Sequence, residues 1–307
     1  AEESSNTTIT EFVLVGFSNE PNLQWILFGT FFIMYLIILL GSSIIILITT
    51  VDPTLRNPMY FFLGNFSYLE ICYVTVTIPG MLMDIWTQKG NISFLACAMQ
   101  IFAGTECLLL TVMAYDHYVA ICNLLHYPVV MNHRVCIQLV AGSWISGILV
   151  QIGQTCQIFS LSFCGPNTIN HFFCDIPPVI KLACRDILVN QMVVYILATM
   201  FSMFPFLLIV ASYGKINSSI LKLSSAKRRV KAFSTCSSHL TVIILFYGTA
   251  AINYLLPKSN QSEGLGKLLC LFYTISTPMM NPVIYSLRNK DVMVALKRLL
   301  PNYFFSA

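Results

Sequence analysis

Seven long apolar runs constrain this chain more than any other feature. They lie near Trp25–Thr50, Pro58–Trp86, Ile92–Ile121, Ile137–Phe159, Val189–Ile220, Ala232–Leu256 and Lys267–Leu287. At ~1.5 Å of rise per residue, each is long enough to cross ~30 Å of hydrocarbon as a helix. The runs are continuous and do not alternate, which argues against the strands of a β-barrel. Only 10% of residues are charged and 56% are hydrophobic, with mean hydropathy +0.74. A water-soluble domain carries about 25% charged residues, so this chain lacks the polar surface to cover a globule in water. The expected fold is an all-α membrane protein, a seven-transmembrane helix bundle with a short C-terminal amphipathic helix.

Lysine and arginine orient the bundle, because basic residues collect on the cytosolic side. One side holds Arg56, Arg134, Lys215, Lys222, Lys227, Arg228, Arg229, Lys231, Arg288, Lys290, Lys297 and Arg298. The other holds only Lys89, Lys181, Arg185, Lys258 and Lys267. The expected division is an extracellular N-terminal tail over 1–24, the bundle over 25–287, and a cytosolic tail over 288–307. That tail places Val292, Val294, Ala295, Leu296, Leu299 and Leu300 among basic residues, the pattern of a helix lying in the membrane interface. The N-terminal segment has neither the basic start nor the early apolar run of a cleavable signal peptide. The first span is therefore expected to serve as the signal anchor. Localisation in the plasma membrane follows, with the lipid bilayer as a partner and no role for nucleic acid.

Asn6-Thr7-Thr8 is a glycosylation sequon in the outer tail, which makes Asn6 the expected acceptor. Four of the eleven cysteines fall on the outer side: Cys97, Cys164, Cys174 and Cys184. Four cysteines in an oxidising compartment allow three pairings. No cysteine and histidine cluster has zinc spacing, so no metal centre is expected from that source. The one long connection, from about Leu161 to Asn190, is long enough to be functional or covalently tied down.

Several strings are more specific. They are Pro58-Met59-Tyr60-Phe61-Phe62-Leu63, Met113-Ala114-Tyr115-Asp116-His117-Tyr118-Val119-Ala120-Ile121-Cys122, Ser212-Tyr213, Lys231-Ala232-Phe233-Ser234-Thr235-Cys236-Ser237-Ser238-His239-Leu240, and Asn281-Pro282-Val283-Ile284-Tyr285. Together they resemble the vertebrate odorant receptors, a branch of the rhodopsin-like G-protein-coupled receptors. The resemblance runs from about Phe12 to Leu300, and the Lys231–Leu240 string is close to diagnostic for the branch.

This resemblance implies a receptor and not an enzyme. A small, mostly apolar odorant would bind among the third, fifth, sixth and seventh spans. The sixth span would then swing outward and engage a heterotrimeric stimulatory G protein, raising cyclic AMP. Carried over by position, the ligand residues are Gly104, Phe201, Tyr247, Ala251, Tyr254 and Thr274, with Lys258 at the rim. The coupling residues are Asp116, His117, Tyr118, Tyr213, Lys231, Ser234 and Tyr285. The family pairing implies a Cys97–Cys174 disulfide, leaving Cys164 and Cys184 to close the long loop.

Glu70 and Glu106 are carboxylates inside spans, where charge is costly and usually functional. The resemblance places a sodium-type polar site at Glu70, Glu106 and Asn281, the one cofactor it brings. The alternative is a protonated Glu hydrogen-bonded to Ser67 or Asn281. Pro205, Pro278 and Pro282 are expected to kink the fifth and seventh spans.

The chain also departs from the family. His117 stands where Arg is usual, and it is shorter and mostly neutral at cytosolic pH. Ser42 replaces an Asn that normally bridges spans, and has less reach. Leu124 replaces a Pro. Cys97 to Glu106 is about five residues short, which would cut the third helix by ~7.5 Å and misphase its ends by ~140°. The chain must respond by unwinding near Ala103-Gly104, by pulling the outer loop inward or by letting the Asp116 end ride up. The shortfall is expected to be absorbed between Cys97 and Gly104, with Met99, Gln100 and Phe102 facing unusual directions and the pocket smaller or misshapen. A signalling-impaired member of the family is therefore the second reading. A transporter would show inverted repeats and paired broken helices, which are absent from the sequence. A hydrolase reading finds no Gly-x-Ser-x-Gly string.

Overall fold

A computed structural model of the chain describes residues 11–14, 21–87, 90–93, 96–97, 104–161, 168–169, 174, 179–180, 182–183, 187–222, 225–255, 274–275, 277–285 and 290–299. Helices α1 (Pro21–Val51), α2 (Pro58–Thr87), α3 (Gly104–Cys122), α4 (His133–Phe159), α5 (Ile187–Leu221) and α6 (Ala226–Leu255) follow in order. Helix α7 covers 277–285 and α8 is Lys290–Leu299. Among the described residues, α1, α2, α4 and α5 each contain a stretch long and apolar enough to cross a membrane. Helix α1 packs on α2, α2 on α3, and α3 on both α4 and α5.

The surface of α1 shows which solvent it expects. Ile33, Ile37, Leu40, Ile44 and Leu47 recur three or four residues apart, and all are exposed. In water such a stripe would be a liability; against lipid it needs no cover. Among the described residues the buried side chains form four clusters, and two of them fill most of the helix bundle. One cluster joins Phe62, Phe66, Leu110, Met113, Val242 and Phe246 across α2, α3 and α6. The other joins Phe31, Ile38, Ile78 and Ile275.

Helix ends follow local chemistry more than hydropathy. Helix α4 starts four residues before Ile137 because the Asn132 side chain accepts the Val135 N–H at 3.0 Å and caps it. Helix α6 starts at Ala226, so the basic stretch 227–231 is helical and continues the apolar run toward water. Near the turn after α1, Thr54 donates its hydroxyl and its backbone N–H to Asp52 Oδ1 at 2.7 and 2.8 Å. Those bonds hold the Asp52 carboxyl below its ordinary pKa. Arg298 of α8 approaches the same carboxylate at 4.0 Å, docking α8 beside α1.

The end of the bundle opposite the basic residues carries a small sheet that the sequence did not suggest. Its strands are β1 (Glu11–Leu14), β2 (Asn91–Ser93) and β3 (Thr168–Ile169), ordered β2-β1-β3. β1 runs antiparallel to β2, with Phe12 opposite Ile92, and parallel to β3, with Leu14 opposite Ile169. Phe12 is fully buried against Ile92, Cys97, Ile158, Ile169 and Cys174. This corrects the expected start of the third span at Ile92. The Asn91–Ser93 backbone satisfies its hydrogen bonds in the sheet, and α3 is described from Gly104. Met99, Gln100, Phe102 and Ala103 lie outside the described residues.

Candidate functional site

A polar knot sits where α1, α2, α3 and α7 converge. Ser42 Oγ donates to Glu70 Oε2 at 3.3 Å, and Asn281 Nδ2 donates to Glu70 Oε1. All three side chains are buried. Ser42 thus bridges α1 to α2 despite its short reach, and among the described residues Ser67 makes no hydrogen bond to Glu70. Gly41 makes the approach of α7 feasible, since a Cβ there would lie 2.8 Å from Pro282 Cβ. Two acceptor oxygens in this region have no hydrogen-bond partner among the described residues: Asn281 Oδ1 and Glu106 Oε1. Buried acceptors are normally paired. Oxygen donors of this kind suit a hard cation, so the residues present fit a sodium ion.

Toward the basic end, α3, α5 and α6 meet through a second group. His117 and His239 face each other with ring centroids 5.2 Å apart. The Tyr213 hydroxyl of α5 is hydrogen-bonded to His239 Nδ1 at 2.8 Å. Nε2 of His239 has no partner among the described residues. Asp116 does not bond to His117; it accepts a hydrogen bond from the Tyr127 hydroxyl at 3.0 Å. Tyr127 belongs to the one-turn helix Tyr127–Val130, and its partial burial beside the Asp116 carboxylate holds the phenol above its ordinary pKa. Tyr118 is half-buried, with the Lys215 ammonium 5.8 Å above its ring. Tyr285 is buried and its hydroxyl has no partner among the described residues. The side chains of Lys231 and Ser234 lie outside the described residues.

Of the expected ligand residues, the structure brings Tyr247 and Ala251 together. They line one cavity of about 480 Å³ between α5 and α6, with Phe206 and Gly248. The Phe206 ring lies tilted by 48° against Tyr247, with centroids 4.9 Å apart. Gly104 opens α3; Phe201 is half-buried on α5 and Thr274 is buried, and neither of these two lines that cavity. The side chains of Tyr254 and Lys258 lie outside the described residues. Cys97 and Cys174 form a disulfide, while Cys164, Cys184 and Asn6 lie outside. Sequence reading missed Phe206, Tyr127 and the facing pair His117 and His239. A histidine inside an apolar run was the one visible signal, and it sat unremarked within the Lys231–Leu240 string.

Comparison with known proteins agrees with this arrangement. The olfactory receptor family model matches residues 31–302. Human olfactory receptor 10AG1 is 65% identical over 295 residues, covering 94% of this chain and 98% of the relative. Human olfactory receptor 10A7 is 50% identical, covering 96% and 95%. A crystal structure of squid rhodopsin superposes with TM-score 0.67 at 18% identity, over 93% of this chain and 87% of that one. That likeness shows the seven-helix fold. The family match, spanning nearly the whole bundle, shows that this chain belongs to the olfactory receptor family.

Proposed function

We propose that the chain binds a small, mostly apolar odorant and activates a stimulatory heterotrimeric G protein, raising cyclic AMP. It does so from the plasma membrane, with the N-terminus extracellular and the basic end cytosolic. The observation that carries the reading is the family match over residues 31–302. The aromatic and small residues around the cavity at Tyr247, Phe206 and Gly248 favour an apolar ligand. A cyclic AMP reporter assay against an odorant panel tests it. A chain that reaches the surface and leaves cyclic AMP unchanged across a broad panel would oppose it.

His117 sets the expected strength of coupling. An arginine at this position is always charged and presents a planar fork of donors. His117 instead turns to His239, and Asp116 is taken by Tyr127. His117→Arg is expected to raise agonist-driven cyclic AMP severalfold at matched surface expression. Equal responses from both forms would show that the family arginine is dispensable here.

The polar knot is proposed to hold a sodium ion through Glu70, Glu106 and Asn281. The ion would supply positive charge to two buried carboxyl groups. The orphaned Asn281 Oδ1 and Glu106 Oε1 support this reading. Asn281→Leu removes a donor from Glu70 and an oxygen from the site. It is expected to cost about 1.5–3 kcal/mol from the lost bond alone. It should also abolish any rise in melting temperature when sodium replaces a large organic cation. A sodium-dependent rise that survives in Asn281→Leu would remove Asn281 from the site.

A further inference from the structure

We propose that the crevice between the basic-end halves of α5 and α6 holds one acyl chain of an anionic phospholipid, whose phosphate rests on Lys222 and Arg229. The cavity beside Tyr247 has a neighbour of the same size, about 480 Å³, lower on the same two helices. The two adjoin at Val210, Tyr213 and Leu240. The acyl chain runs from the lower one to the level of Ile243, and the space beside Tyr247 above it is left to the odorant. The flanks are open to the membrane: Val210 is 50% exposed, Ile244 62% and Phe233 46%.

The glycines carry the argument further. Glycine on a membrane helix commonly lets two backbones approach closely. Gly41 and Gly147 do that here, since a Cβ at either would collide with a neighbouring residue. Gly214 lines the lower crevice and does the opposite, as Gly248 does in the cavity above it: a Cβ at either would meet nothing within 4 Å. They widen a space that the protein itself leaves open. A void lined by apolar atoms loses dispersion contacts unless something fills it.

Shape and charge select the occupant. A partner helix is ~10 Å across, too wide for a crevice of this volume. One leaflet supplies about half of the ~30 Å hydrocarbon thickness. That ~15 Å corresponds to ten residues of helix rise, the distance from Phe233 to Ile243. At the lower mouth, Arg229 lies one turn before Phe233 on α6. Lys222 directly follows the end of α5 and is exposed. A sterol fits the apolar walls but has no charge for this basic mouth. With the basic end cytosolic, as proposed above, the crevice opens into the leaflet that carries anionic lipids.

Native mass spectrometry of the full chain in neutral detergent tests this, with phosphatidylserine and phosphatidylcholine as probes. One tight phosphatidylserine adduct is expected, with phosphatidylcholine binding far weaker. Each basic group near an anionic lipid contributes about a fivefold factor, so Lys222→Ala with Arg229→Ala should weaken the adduct by roughly 30-fold. Gly214→Trp should fill the crevice and displace the lipid. A phosphatidylserine analogue with a photoreactive acyl chain should label 210–220 and 233–243 in the unmodified receptor. That readout does not depend on how any variant folds. Equal binding of the two lipids, an undiminished adduct in Gly214→Trp, or labelling confined to other helices would each overturn the proposal. None of these outcomes depends on odorant response, so the receptor reading stands or falls separately.

Discussion

Cys97→Ser is expected to leave almost no receptor at the cell surface. The disulfide joins residues 77 positions apart. Closing a loop of that length restricts the unfolded chain by an amount worth up to ~4.5 kcal/mol, and small disulfide-dependent folds lose about 2–5 kcal/mol without their bridge. Helices already inserted in a membrane restrict the same ensemble, which places this chain toward the lower part of that range. The local consequence is sharper. Both cysteines are buried in the cluster that seats Phe12, Ile92, Ile169 and Ile180. Unlinked, that cluster loses the covalent tie between the two segments that carry Cys97 and Cys174 and keeps only the short strand ladders. Surface staining by flow cytometry reads the effect, with Cys156→Ser as the control, because Cys156 is unpaired and exposed on α4. Normal surface staining of Cys97→Ser would show that the sheet and the helices position this end without the bridge.

Gly147→Ala is the second large effect, from a single methyl group. A Cβ at Gly147 would lie 2.0 Å from Thr105 Oγ1, 2.9 Å from Thr105 Cβ and 3.0 Å from its Cα. Rotating Thr105 relieves the first contact only. The others require α3 and α4 to separate, and overpacking of this kind costs about 1–3 kcal/mol and occasionally more. Gly142 and Gly153 on the same helix meet nothing within 4 Å. Alanine at either should be neutral or stabilising by about 0.4–1 kcal/mol, through the unfolded state. The melting temperature of purified receptor should therefore fall for Gly147→Ala and not for Gly142→Ala. Thr105→Ala should restore part of the loss, since Thr105 Oγ1 has no hydrogen-bond partner among the described residues. A strictly additive double variant would contradict direct contact between the two sites.

The helices were legible because their signal is long and redundant. Twenty or more apolar residues cannot be misread, and the described spans largely coincide with the runs. The polar knot was half legible. Carboxylates inside apolar runs announce themselves, and Asn281 stood in a recognisable string. That Ser42 reaches Glu70 was not readable, because reach depends on how closely α1 approaches α2. The sheet was invisible for a different reason. Its strands are four, three and two residues long, too short for alternation to register. The facing of His117 and His239 depends on the rotation of α3 against α6, which no local pattern encodes.

The order of the small sheet also imposes a schedule on biosynthesis. Its central strand, β1, is made first, while β3 follows it by more than 150 positions along the chain. At roughly 5–20 residues per second, the ribosome needs about 8–30 s to deliver that second partner. Until then Phe12 has no seat, because the buried cluster it enters draws on Ile169 and Cys174. With the N-terminus extracellular, as proposed above, that segment would cross the membrane early and be woven in last, between two strands that are made after it. During that interval it is open to the enzymes of the compartment it has entered. Closing the strand is the event that withdraws it from them.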